Sequence, residues 1–137
     1  MSVLKNKRSE STIEFYHNAT VIRAEITRYV MNEKHVPKRW RPVFTFPMIE
    51  KLIAMMDNIV AANTIFPTCK EDVKLRASYQ QQAIICVEQI FEQMQYMIQT
   101  LKLYEESLQP IVEMLQREMQ LLRGWNRSDK ERYKDLV

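Results

Sequence analysis

A chain of 137 residues, 46% hydrophobic and 27% charged, is long enough for one domain with its own core and too short for two. A single glycine beside nine methionines cannot supply the tight turns of a hairpin-rich β fold, which leaves an all-α protein, an antiparallel four-helix bundle, as the expected architecture. The net charge of +3 is mild but uneven: residues 1–41 carry nine Lys or Arg against four Glu, residues 42–122 six against ten acids, and residues 123–137 five against three.

Basic ends around an acidic middle suggest contact with a polyanion, or simply charged tails in water. No apolar run approaches the roughly 18–20 residues that span a bilayer, and the opening MSVLKNKRSE lacks the apolar region of a signal peptide. A cytoplasmic protein is expected. Cys69 and Cys86 fall in no ligand or redox spacing, which suits a reducing compartment.

Residues 1–10 read as a flexible basic tail, and the first helix is predicted over residues 11–32. Ser11 and Glu14 have the spacing of a capping box. Phe15, Ala19, Ile22, Ile26 and Tyr29 then recur at alternating four and three, the seam of an amphipathic helix. A connector, HVPKRWRPVFTFP, separates it from the second helix, predicted over residues 47–64 with Ile49, Leu52, Ile53, Met56, Ile59 and Val60 as its stripe. Pro47 is tolerated in a first turn, where its missing N–H has no partner to lose.

Thr68 and Glu71 form a second capping-box pattern before the third helix, predicted over residues 71–103. Its seam (Ile84, Val87, Phe91, Met94, Ile98) is widened by Ala83, Ile90 and Met97, so it needs more than one neighbour. Its other side is rich in Gln80, Gln81, Gln82, Gln89, Gln93, Gln95 and Gln99. Amides desolvate more cheaply than charges, so that face reads either as a subunit contact or as a solvated surface. The fourth helix, residues 107–123, carries Leu108, Ile111, Val112, Leu115, Met119 and Leu122. Gly124 stands where a left-handed C-cap is expected. Residues 126–137 read as a polar C-terminal tail, so the bundle itself is expected over residues 11–125.

The chemistry of an active site is hard to find. Glu14 to His17 is an ExxH pair, but a di-metal bundle site needs two such pairs and two more inward glutamates, and the other histidine, His35, falls in the connector. One glycine cannot build a phosphate loop or a nucleophile elbow. Cys86 reads as a buried structural thiol. No catalytic residue, cofactor or metal is expected, and the protein is read as a non-enzyme.

The connector remains. Lys38, Arg39 and Arg41 surround Trp40, a grouping suited to phosphates with an indole for an unpaired base. The competing reading is that Trp40, Val43, Phe44 and Phe46 fold back over the bundle end as a hydrophobic plug, favoured for the two phenylalanines, with Trp40 open to either role. Lys7, Arg8, Arg23, Arg123, Arg127 and Arg132 are the supporting candidates for nucleic-acid contact.

Residues 61–82, AANTIFPTCKEDVKLRASYQQQ, together with LLRGW at Leu121 to Trp125 and the opening RSESTIEFYH, resemble the accessory variability determinant family, the bacterial four-helix-bundle proteins of diversity-generating retroelements, related to the bundle proteins encoded in ribosomal RNA intervening sequences. The resemblance covers most of the chain except the connector around Trp40. It implies a homopentameric barrel that binds the element's reverse transcriptase and contacts template RNA or complementary DNA through basic surface. Phe66, Pro67 and Arg76 are the family features placed here, with structural roles implied. The modest charge is less than such a nucleic-acid binder would carry. The alternative is an oligomeric scaffold bundle of a phage or mobile element that touches no nucleic acid; a metal or small-molecule bundle enzyme is the third class.

Overall fold

The computed structural model describes residues 10–137, with side chains from residue 14 onward. Lys7, Arg8 and the rest of residues 1–9 lie outside the described residues, as does the Ser11 side chain of the first capping pattern. Among the described residues there is no strand. Four helices, α1 (Glu10–Met31), α2 (Thr45–Thr64), α3 (Lys70–Leu101) and α4 (Gln109–Arg132), pack against one another.

Each helix buries one stripe. Phe15, Ala19, Ile22, Ile26 and Val30 of α1 meet Met48, Leu52, Met55 and Ile59 of α2, Val87, Ile90, Met94 and Met97 of α3, and Leu115 and Leu122 of α4 in one continuous core. Burying each large aliphatic side chain contributes about 1.5–3 kcal/mol. On α2 the buried set differs from the expected stripe. Met48 and Met55 face the core, whereas Ile53 and Val60 face outward and are exposed. Together with Phe46, also exposed, they form an outer row at seven-residue spacing.

The connections follow local chemistry with one shift. Pro47 and Pro110 sit in first turns as expected. Before α3, however, the partner of Thr68 is Asp72 and not Glu71: Oδ2 of Asp72 accepts hydrogen bonds from both the backbone N–H and the hydroxyl of Thr68, each at 3.1 Å. Those bonds, the backbone one first, hold the Asp72 carboxyl below its usual range. Phe66, given a structural role by resemblance, is 79% exposed.

The largest departure is at the C-terminus. The fourth helix does not stop at residue 123; it runs through Gly124, whose φ is not positive, to Arg132. Asn126 and Asp129, in what reads as a polar tail, belong to a buried network. Arg76 of α3 donates to Asp129 through Nε (2.6 Å) and Nη2 (3.2 Å), and through Nη1 to the carbonyl of Ile65 (2.9 Å). Gln80 donates to Asp129 at 2.7 Å and accepts from Asn126 at 2.8 Å. Gln80 is therefore buried in this network and is no part of an outer amide face. Trp125 stacks on Phe15 at 4.1 Å, and the Arg76 guanidinium lies 5.2 Å from the Trp125 ring centroid. Partners for every polar atom are what let this end of the bundle be dry.

Candidate functional site

The connector does two things at the other end of the fold. Lys38–Trp40 make a 3-10 turn whose Trp40 carbonyl accepts from the N–H groups of Val43 and Phe44. This reversal drops Phe44 into the core, fully buried and edge-on to Tyr96 of α3 at 4.9 Å. Thr45 then donates its hydroxyl to the carbonyl of Val30 (2.8 Å), tying the start of α2 to the end of α1. The plug expected from the sequence is thus Phe44, with half-buried Trp40 tilted against it at 5.8 Å. Phe46 does not join: it is the second residue of α2, on the outer side, and is 52% exposed.

The connector cations have unequal surroundings. Lys38 pairs with Glu33 at 3.2 Å. Arg41 is largely covered, donates to the Met31 carbonyl (3.3 Å) and reaches the same Glu33 at 3.9 Å, so it braces the C-terminus of α1. Arg39 has no ion pair and lines an open groove.

That groove, of about 700 Å³, forms where the α1–α2 and α3–α4 connections meet. Lys34, Arg39 and Lys102 line it with Trp40 and Tyr104, and no carboxylate does. None of the three cations is in an ion pair. His35 closes one side, its ring stacked on Tyr29 at 3.8 Å and 7° and its Nδ1 3.1 Å from the Tyr29 carbonyl oxygen. Burial raises the Tyr29 phenol above its usual range despite a hydrogen bond with Ser107. Tyr104 stands 68% exposed with its hydroxyl donated to Glu106 at 2.7 Å; that bond holds the phenol's pKa above its usual value.

Lys102 occupies an unusual backbone position. It follows α3 with φ 53° and ψ 49°, the left-handed region, and its N–H and that of Leu103 both bond to the Ile98 carbonyl. Glycine is the usual residue there, and a side chain costs about 1–2 kcal/mol. Neither Lys34, Lys102 nor Tyr104 was among the residues singled out in the sequence. The third helix is expected to run to residue 103, past Lys102, whereas it ends at Leu101, so the spacing gave no signal for these three. The groove offers cations for anionic oxygens, rings for a planar group and an entrance open to solvent.

The remaining predicted contacts do not converge on it. Arg127 and Arg132 lie near the far end of α4, whose 24 residues span about 36 Å at 1.5 Å each, and Arg132 sits 6.0 Å over the Tyr133 ring. Arg123 shares its surface hollows with Glu88 and Glu92. Arg23 is exposed in the middle of α1. The predicted set divides between two ends and the flank of the molecule.

A buried acid is the other polar feature. Glu118 of α4 is completely buried; one carboxyl oxygen accepts from Asn18 at 3.1 Å and the other has no partner. Desolvation, which favours the protonated acid, pushes its pKa up to about 8 against the Asn18 hydrogen bond. Its neighbour Glu14 stays ionised through a two-point pair with Arg117 at 2.8 and 2.9 Å; Glu14 and exposed His17 do not converge on a metal position. Among the described residues no group of three or more His, Cys, Asp or Glu is placed to hold a metal ion, and no helix is long and apolar enough to cross a membrane.

Searches against protein-family models, curated proteins and solved structures find no match to this chain.

Proposed function

We propose that the chain is a non-enzymatic accessory protein that binds nucleic acid and a protein partner, of the kind the resemblance to accessory variability determinants implies: a bundle serving a reverse transcriptase and its template RNA or complementary DNA. The observation that carries the nucleic-acid part is the end groove, where unpaired Lys34, Arg39 and Lys102 meet Trp40 and Tyr104 with no carboxylate in the lining. An antiparallel order of helices supports the reading, since it brings the two connections together; contacts pairing Arg76 with Asp129, Asn18 with Met114 and Asn58 with Cys86 accord with it.

The outer row of Phe46, Ile53 and Val60 supports a protein partner. Glu50 and Asp57 fall between these residues without ion pairs, which suits a basic helix of a polymerase better than a second copy, whose own acids would oppose them. The exposed amides of α3, Gln81, Gln89 and Gln95 among them, are the surface assigned to self-association.

Filter binding of RNA and DNA tests the reading. Changing Lys34, Arg39 and Lys102 together to Ala is expected to abolish most of the affinity, while Lys38→Ala changes it little. Equal binding by the triple variant and the parent protein overturns the groove as the site. Light scattering at a mass near 16.5 kDa overturns self-association.

A further inference from the structure

The groove's rings decide what kind of nucleic acid it suits. We infer that it takes an unpaired nucleotide of a single strand, the base stacked on Tyr104 beside Trp40 and the flanking phosphates held by Lys34, Arg39 and Lys102. This rests on the nucleic-acid reading above and narrows it to strands whose base faces are free.

Three observations carry it. Tyr104 is anchored by its hydroxyl on Glu106 (2.7 Å) yet remains 68% exposed, so the ring is held in place with its apolar surface in water. A duplex keeps base faces inside its stack and offers only backbone and base edges, so such a ring gains nothing from it; an unpaired base gains a stacking partner. Secondly, a hollow of about 700 Å³ falls within the roughly 300–1,000 Å³ of sites that enclose a small organic ligand. That is room enough for a nucleotide. Thirdly, Lys102 keeps a left-handed backbone that glycine would adopt without strain, and it is one of the residues that line the groove. Strain retained at a charged lining residue points to a ligand.

The carboxylates nearby do not cancel this charge. Residues 31–41 and 100–107 hold five Lys or Arg against Glu33, Glu105 and Glu106. Glu33 is occupied by Lys38 and Arg41, and with Glu105 and Glu106 also counted the two segments keep a net charge of +2, five cations against three carboxylates.

Fluorescence anisotropy with the intact protein tests it, using a labelled twelve-nucleotide strand, its duplex, and the same strand made abasic. The intact strand is expected to bind at least about tenfold tighter than duplex or abasic strand, with a log–log salt slope of about −2 for three phosphate contacts at ~0.7 each. Tyr104→Leu is expected to remove the difference between intact and abasic strands while leaving the salt slope unchanged. Lys102→Gly is expected to raise the melting temperature and lower affinity, a combination that a purely structural lysine would not give.

If duplex and strand bind equally, or Tyr104→Leu leaves the ratio of intact to abasic strand unchanged, the single-strand inference falls and general nucleic-acid binding stands. No binding of any nucleic acid overturns both. Displacement of the strand by adenosine monophosphate at equal nucleotide concentration overturns the strand in favour of a free nucleotide.

Discussion

Arg76 near the start of α3 and Asp129 near the end of α4 meet as a buried two-point ion pair, with contacts of 2.6 and 3.2 Å across 53 residues of sequence. The pair is roofed by Trp125 and Tyr133, whose ring centroids lie 5.2 and 5.7 Å from the guanidinium carbon. Because both partners are nearly inaccessible, removing one leaves the other charge in a dry site. Asp129→Ala or Arg76→Ala is expected to destabilise the protein by about 3–5 kcal/mol, measured by urea unfolding. Replacing both with apolar residues of similar volume is expected to cost much less than the sum, because neither then strands a charge. Truncation after Trp125 is expected to resemble the single substitutions and not the loss of a solvated tail.

Gly124 gives a test of opposite sign. It lies inside α4 and a Cβ built there meets nothing within 4 Å. Gly124→Ala is expected to stabilise the protein by about 0.5–1 kcal/mol through helix propensity, read as a melting-temperature rise of a few degrees. A left-handed cap would have predicted a loss.

Glu118 makes stability fall as pH rises. Its folded pKa of about 8 exceeds the ordinary 4.5, so between those values the folded chain keeps a proton that the unfolded chain releases. Stability contributed by this group is complete below about pH 4.5 and declines up to pH 8, by at most about 1.4 kcal/mol per unit. Glu118→Gln keeps the Asn18 hydrogen bond and is expected to flatten that part of a denaturation-against-pH profile. A profile unchanged by Glu118→Gln would mean that the carboxyl is not protonated in the fold.

The two phenylalanines of the connector separate core from surface. Phe44→Ala is expected to cost about 3–5 kcal/mol, whereas Phe46→Ala, on an exposed ring, is expected to stay within about 0.5 kcal/mol of the parent. Thermal melts of the two variants make the comparison directly. Equal losses would place Phe46 in the plug after all.

The sequence by itself determined that this is a helical protein and where its first three helices lie, because apolar spacing such as Phe15, Ala19, Ile22 and Ile26 is a one-dimensional record of burial. It also marked the connector as a place where Phe44 or Trp40 would fold back. What only the tertiary structure decided are the meanings of polar residues. Asp129, Asn126 and Gln80 read as solvated until Arg76 is brought to them, and Lys102 and Tyr104 join Arg39 only because two distant connections meet at one end. Hydrophobic burial has a local period, but a polar side chain is defined by its partner, and partners 46 to 53 residues away leave no trace in the spacing of neighbours.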